Sequence, residues 1–311
     1  MKTFNEIPEE KYNDISYTLN YLKENKIIGD ENPEYNGIFH VYWRGEISDK
    51  HIFTVKSILA TQKVKKIYFW IEDKNRSYLS KGFGKLMQFS KYIEIKVFDR
   101  SVIKQLEGDP KIIDKICSYF DMALFDDVRY RADIFRIVIL SIYGGVYSDL
   151  DMFLLRDLSE IKLNRWCSKW EIFPKGDSAI LKLEKNHKLF ETIVKNSPNN
   201  KRCFWVFDAM DFKNDNLEVT SLPSNFFDVS WINKNYQGDN FILEDFHSFW
   251  KKTDYKPTMK NFLRGCFAYH WHNHWEVPEL RNSIAGSLND DLDKIILQKY
   301  NIKSLKLFKN E

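Results

Sequence analysis

Hydrophobic positions in the first half of the chain switch between strand-like and helix-like spacing. Short apolar runs at Gly37–Trp43 and Lys66–Ile71 and an alternating pattern at Tyr92–Phe98 predict β-strands, the first of them buried. Between the first two runs, apolar residues recur at helical spacing over residues 50–62, which predicts a helix with one buried face. Strands separated by helices favour a mostly parallel sheet of the nucleotide-binding kind.

The clearest helix is predicted over residues 127–143, which are apolar through most of their length. It should stop at Gly144-Gly145, where a left-handed C-cap is expected. The residues that follow, Val146–Phe153, are predicted to form a short strand. Further helical spacing occurs around residues 12–22, 186–196 and 289–299.

Composition narrows the class of protein. An apolar fraction of 43% is enough for a substantial core, and the 47 basic and 44 acidic residues leave a net charge of only +3. Without a basic stripe, no nucleic-acid partner is expected. The four cysteines are far apart and form no Cys-x-x-Cys pair, so we expect reduced thiols (Cys117, Cys167, Cys203 and Cys266).

The N-terminus has no apolar leader, and no run of 18 apolar residues occurs in the sequence. We therefore expect a soluble, cytoplasmic protein. Peripheral contact with the cytosolic face of a membrane, or the host cytoplasm for a viral source, would also fit.

Two carboxylates follow the predicted helix at Asp149-Leu150-Asp151. On a strand, both would point to one face, about 7 Å apart along the chain. Such a pair suits a hard divalent ion such as Mg²⁺ or Mn²⁺, which would also bind substrate phosphates. An isolated Asp-x-Asp is a weak signal and is more often a solvated turn, but here apolar residues on both sides argue against one.

Asp133 and Arg136 lie three residues apart and hence on one face of the predicted helix. They could form an ion pair within the helix. Alternatively, the arginine could bind a phosphate or sugar hydroxyl while the aspartate accepts a sugar hydroxyl.

A third polar cluster, His270-Trp-His-Asn-His-Trp275, alternates histidines with other residues. It could be an exposed polar loop, or a zinc site, because alternating histidines are a known ligand spacing.

Residues Arg131–Asp151 resemble the sugar-binding region with a DxD motif that glycosyltransferase family 32 shares with the large clostridial glucosylating toxins. The shared pattern is Ala-Asp-x-x-Arg, a Gly-Gly pair, and Tyr-x-Asp-x-Asp. Residues Ile38–Gly45 and Phe267–Trp275 are similar to the family's opening strand and terminal segment. Residues 155–260 match only loosely, and the family's Thr-Gly-Pro is absent there.

The resemblance implies an α/β fold of the GT-A type, a nucleotide-sugar-binding, Rossmann-like mixed sheet flanked by helices, with helical elaborations. We expect a single catalytic domain over residues 1–311. Its parts would be an N-terminal helical segment, a nucleotide-sugar-binding half, and a half that binds the acceptor and closes the site (residues 1–35, 36–155 and 156–311).

The resemblance also implies a donor site. Trp43 would stack on a uracil base, with Tyr42 and Arg44 beside it, and Tyr147 would pack near the ribose or sugar. Asp133 and Arg136 would hold sugar hydroxyls and phosphate. These six positions form the predicted nucleotide-sugar end.

At the metal end, the resemblance implies that Asp151 binds a metal directly, while Asp149 contacts the ribose and a metal-bound water. His270 or His272 would complete the metal shell. Asn273, His274 or Trp275 would close over the diphosphate.

The function implied is a metal-dependent, retaining transfer of a hexose from a UDP-sugar, namely UDP-glucose, UDP-galactose or UDP-GlcNAc. The acceptor would be a glycan, a glycolipid or a protein, and the cofactor Mn²⁺ or Mg²⁺. Use of GDP-mannose and a non-catalytic carbohydrate-binding protein are the alternatives. A haloacid-dehalogenase-type phosphatase fits less well because Phe153 stands where that class usually has Thr or Val, and a zinc hydrolase would rest on the histidine cluster alone.

Overall fold

A computed structural model gives the fold. It describes residues 15–30, 32–45, 47–72, 89–122, 128–169, 176–196, 219–228, 266–270 and 286–302. The strands are β1 Ile38–Trp43, β2 Lys66–Ile71, β3 Ile93–Val97, β4 Gly145–Ser148, β5 Met152–Leu154, β6 Trp166–Lys169, β7 Gly176–Leu183, β8 Thr220–Leu222 and β9 Ala268–His270. The helices are α1 Ile15–Glu24, α2 Asp49–Thr61, α3 Arg100–Ile103, α4 Pro110–Met122, α5 Val128–Tyr143, α6 Leu189–Asn196 and α7 Leu288–Tyr300.

Seven strands form one sheet in the order β3-β2-β1-β4-β7-β6-β8, and β5 pairs with β9 in a separate ribbon. Strand β7 is antiparallel to both of its main neighbours, β4 and β6, while the remaining pairs in this sheet are parallel. The predicted mixed α/β sheet flanked by helices is therefore confirmed.

The two faces of the sheet bury separate cores, because side chains of a strand alternate between its faces. In β1, Phe39 and Val41 belong to the core that includes residues of α2 and α7. Tyr42 belongs to the core on the other face, which includes residues of α4, α5 and α6. The apolar runs of the sequence thus fill both sides of the central strands.

Helix α2 holds both the Asp-x-Asp turn and the chain that follows it. Thr54 Oγ1 donates to the carbonyl of Leu150 at 2.9 Å, and Ser57 Oγ accepts from the N–H of Leu154 at 3.0 Å. Gln62, just after the helix, bonds the backbone of residues 156 and 158. One polar edge of α2 therefore fixes the backbone on which the site is built.

The predicted helices at 50–62, 127–143, 186–196 and 289–299 are confirmed within a few residues by α2, α5, α6 and α7. The prediction of one strand over Val146–Phe153 is wrong. Strand β4 ends at Ser148, residues 149–151 turn, and β5 starts at Met152. The chain must turn there because β4 stays in the main sheet beside β7, whereas β5 leaves it to pair with β9.

Among the described helices, none combines the length and the apolar character that spanning a lipid bilayer requires.

The Gly144-Gly145 pair joins α5 to β4 in a backbone conformation that other residues rarely adopt. Gly144 has φ +66° and Gly145 has φ +104°. A Cβ on Gly145 would lie 2.6 Å from the carbonyl oxygen of Ile38 in the neighbouring strand. The expected left-handed end of the helix is thus confirmed.

We expect Gly145→Ala to lower the free energy of unfolding by ~2–3 kcal/mol, from backbone strain and the clash with β1. Urea denaturation would measure it. Gly29→Ala is the matched control, because a Cβ there meets only the flexible end of Lys162 at 3.3 Å. Equal stability of both variants would contradict this description of the helix-to-strand junction.

Candidate functional site

The two carboxylates of the Asp-x-Asp motif lie at the carboxyl end of β4. The N–H of Asp149 still donates to Ala179 of β7 at 2.7 Å, which continues the ladder for one residue. Asp151 precedes β5, whose first residue pairs with His270 of β9. The turn therefore brings both carboxylates and His270 together, although they do not share one strand face as predicted.

Ligand atoms of Asp149, Asp151 and His270 lie within 4.8 Å of one another, an arrangement that could hold a metal ion. Nε2 of His270 is 3.2 Å from Oδ1 of Asp151. Asp151 and His270 are buried, at 7% and 6% exposure, whereas Asp149 is partly exposed. Two carboxylates and one imidazole give a largely oxygen-based set that suits a divalent cation.

A second group shares the same histidine. Ligand atoms of Asp177 on β7 and Asp228 after β8 also lie within 4.8 Å of each other and of His270. Sequence reasoning missed both residues, because they lie in the stretch that matches the family only loosely. The segment that leads into β9 reaches Asp228 through a backbone hydrogen bond from Phe267 to Phe226 at 2.8 Å.

Arg136 of α5 compensates the charge of this region. Its Nη2 is 3.3 Å from Asp133 and 3.4 Å from Asp149. Its Nη1 donates to the carbonyl and hydroxyl oxygens of Ser178, and its guanidinium lies 4.7 Å from the ring centre of Tyr147. The predicted ion pair of Asp133 and Arg136 is confirmed, and the arginine also reaches the first carboxylate of the motif. Binding of phosphate or sugar hydroxyls by the two side chains stays a prediction.

Burial raises the pKa of Asp149 to about 6, against the lowering effect of the Arg136 guanidinium and with a further rise from Asp151. The hydroxyl of Tyr147 donates to Oδ1 of Asp149 and so fixes that carboxylate. Burial also raises the pKa of Tyr147. The tyrosine therefore stays a neutral hydrogen-bond donor in this position.

Burial lowers the pKa of His270, but the carboxylates of Asp151, Asp228 and Asp177 outweigh burial and raise it to about 10. Without a metal, the imidazole is therefore protonated at neutral pH. A proton and a divalent cation compete for the same nitrogen.

This competition predicts a pH dependence. A pKa raised in the folded state stabilises the fold below pH 6.5, and this stabilisation is lost as the pH rises to about 10. The metal-free protein should therefore become less stable over that range, while its affinity for Mg²⁺ or Mn²⁺ increases by up to ~10-fold per pH unit. Thermal melts at several pH values, with and without metal, would measure both trends.

In the same melts, Asp151→Asn should flatten the metal-free trend, because Asp151 is the largest cause of the raised pKa of His270. An unchanged trend in that variant would contradict the assignment of the titration to this histidine.

The structure places the residues of the predicted nucleotide end in two environments. Trp43, at the end of β1, is half-buried, and its ring centre lies 3.9 Å from that of His51. Arg44 is also half-buried, with Nε 3.7 Å from Glu72. Tyr42 instead faces the core: its ring stacks on Phe135 and its hydroxyl donates to Glu72.

Tyr42 is only 4% exposed and its hydroxyl already has a buried partner, so its contact with the donor stays a prediction. The predicted positions His272, Asn273, His274 and Trp275 lie outside the described residues.

Residues 48–170 match the family model described as a glycosyltransferase sugar-binding region containing the DXD motif. This match covers α2, α5 and both carboxylates of the motif. It confirms the resemblance and the predicted glycosyltransferase class. No curated protein matches the chain.

Several solved glycosyltransferases are similar in structure. The PaToxG glycosyltransferase is 14% identical, with 66% of this chain and 79% of that one covered and a TM-score of 0.45. The ligand-free glycosyltransferase domain of the YGT toxin is 11% identical, with 51% and 62% covered and a TM-score of 0.40. The glycosyltransferase GlyE of Streptococcus pneumoniae TIGR4 is 13% identical, with 89% and 66% covered and a TM-score of 0.41.

Proposed function

We propose that this chain, whose residues 48–170 match the glycosyltransferase sugar-binding region with the DXD motif, transfers a hexose from a UDP-sugar with retention of configuration. The acceptor would be a glycan, a glycolipid or a protein. The observation that carries the proposal is the meeting of Asp149, Asp151 and His270 at the end of β4, beside the guanidinium of Arg136.

The three side chains are proposed to hold Mn²⁺. An imidazole nitrogen among carboxylate oxygens favours Mn²⁺ over Mg²⁺, which strongly prefers oxygen ligands. When bound, the metal would neutralise the negative charge that develops on the leaving diphosphate.

The protein's own residues would orient the reactants. Arg136 holds the carboxylates of Asp133 and Asp149 at 3.3 and 3.4 Å, and Tyr147 fixes Asp149 from the other side. In this arrangement Asp133 would accept hydrogen bonds from sugar hydroxyls. Arg136 would act mainly through these two carboxylates, because its other donors bond Ser178 and the carbonyl of Ala132.

The base would stack on Trp43, with Arg44 beside it. Support comes from the position of these residues at the carboxyl end of β1, since parallel sheets bind nucleotides at the carboxyl ends of their strands. The indole is half-buried, so part of its surface is open to a ligand.

Retention is proposed to result from a front-face displacement. In this reaction the acceptor attacks the anomeric carbon from the side that the diphosphate leaves, and the leaving diphosphate takes the acceptor's proton. Both carboxylates beside Arg136 already interact with its guanidinium, which disfavours either as a covalent nucleophile. The anomeric configuration of a product formed from UDP-glucose, followed by NMR, would test this part.

Donor turnover tests the proposed activity. UDP-glucose, UDP-galactose, UDP-GlcNAc and GDP-mannose would be incubated with the protein in Mn²⁺ or in EDTA, and nucleoside diphosphate release measured. We expect UDP release from at least one UDP-sugar in Mn²⁺ and none in EDTA. A protein that binds sugar nucleotides but releases no diphosphate would instead be a carbohydrate-binding protein.

A further inference from the structure

His51, in the first turn of α2, carries a buried N–H group whose purpose the fold does not explain. Its side chain is 1% exposed. The backbone N–H of Ser48 donates to its Nδ1 at 2.9 Å, so the proton of the neutral ring is on Nε2. Among the residues that the structure describes, Nε2 has no hydrogen-bond partner. A buried donor without a partner is costly, and a bound ligand is one way to satisfy it.

The His51 ring packs at one proposed end of the donor, on a helix that is tied to the other. The imidazole ring packs on Trp43 with ring centres 3.9 Å apart. The carboxylate of Asp151 raises the pKa of the same ring, against the lowering effects of burial and Lys50. The helix is also tied to the Asp-x-Asp turn by the hydrogen bond from Thr54 to Leu150. A diphosphate joins the nucleoside to the sugar, so it would span the same interval.

The surroundings of His51 favour an anion. The first turn of α2 carries the positive end of the helix dipole. Lys50 is half-buried beside it; burial lowers the pKa of its ammonium group, and Asp151 opposes this effect. Burial lowers the pKa of His51 to about 3, and Lys50 lowers it further, so the ring is neutral and donates through Nε2. A neutral nucleobase could accept the hydrogen bond from His51 but would not pair with the charge of Lys50. A diphosphate could interact with both side chains.

We infer that Nε2–H of His51 donates a hydrogen bond to a diphosphate oxygen of the sugar nucleotide, with Lys50 supplying charge to the same group. The inference rests on the proposed function, since it takes Trp43 and Asp151 as the two ends of the donor site. His51 would then be a residue of α2 that binds the sugar nucleotide. It is not among the site residues predicted from the sequence.

Two substitutions separate the hydrogen bond from the packing. His51→Phe keeps an aromatic ring against Trp43 but has no N–H. His51→Gln keeps an N–H and can still accept from Ser48, as glutamine does at this position of a capping box. Circular dichroism would first establish a temperature at which both variants are folded.

Affinities for UDP and for inorganic pyrophosphate would then be measured by calorimetry in Mn²⁺. His51→Phe should weaken both by about tenfold or more, because it removes a hydrogen bond to a charged group. His51→Gln should recover most of the loss. Pyrophosphate is included because it lacks the nucleobase. If the substitution weakened UDP binding only by disturbing Trp43, the affinity for pyrophosphate would not change.

The outcomes are distinguishable. If His51→Phe binds UDP as tightly as the unchanged protein, the inference is overturned while the donor site stands. If UDP binding weakens but pyrophosphate binding does not, His51 acts through Trp43, and the diphosphate assignment is wrong. If the unchanged protein binds neither ligand, the proposed function itself fails.

Discussion

Replacing Asp151 by Asn should lower sugar transfer about a thousandfold while leaving the fold intact. The residue is 7% exposed, and its carboxylate is close to His270, with 3.2 Å between Oδ1 and Nε2. Asparagine keeps the shape of the side chain but removes the charge. The loss of one of two carboxylates should sharply reduce metal affinity and, with it, stabilisation of the leaving diphosphate.

The matched control is Asp114→Asn, because Asp114 is an exposed carboxylate on α4. That variant should keep full activity. UDP release in Mn²⁺ and thermal melts of both variants would be compared. An Asp151→Asn protein with full activity in Mn²⁺ would show that this carboxylate is not needed for transfer.

Replacing Arg136 by Lys should reduce transfer at least ~100-fold and lower the free energy of unfolding by ~2–4 kcal/mol. The guanidinium bonds Ser178 and lies within 3.4 Å of the carboxylates of Asp133 and Asp149. A lysine ammonium cannot reproduce this fork, so at least one buried carboxylate would lose its compensating charge.

Urea denaturation and steady-state kinetics would measure both effects. Arg100→Lys serves as the control, because Arg100 pairs with Asp121 at the surface, where both side chains are about half exposed. It should change neither quantity. A normal rate in Arg136→Lys would mean that the arginine is structural only.

The individual strands and helices could be predicted from the sequence because each depends on residues that are close together in the chain. Strand β1 and helix α5 are continuous patterns of buried residues, and the glycines that end α5 adopt the expected positive φ values. The turn at residues 149–151 could not be read in this way. It exists because β4 and β5 have different partners, β7 and β9, which lie far along the chain.

The candidate site also combines residues that are close in sequence with residues that only the assembly of distant strands brings together. Asp133, Arg136, Asp149 and Asp151 could be picked out as candidates in the sequence, because all four lie in one short segment, on helix α5 and in the turn after strand β4. Asp177 and Asp228 could not be, because they meet His270 only through the assembly of separate strands. His51 looked like one position of an amphipathic helix, and only its buried ring nitrogen distinguishes it.

The most direct test of the metal-dependent donor site is a thermal-shift panel of UDP- and GDP-sugars, each with and without Mn²⁺. A ligand that binds only the folded state raises its stability with the logarithm of ligand concentration. We expect at least one UDP-sugar to raise the melting temperature when Mn²⁺ is present and to have little effect without it, while GDP-sugars have little effect in either case. No shift with any sugar nucleotide, or equal shifts with and without metal, would contradict the proposed site.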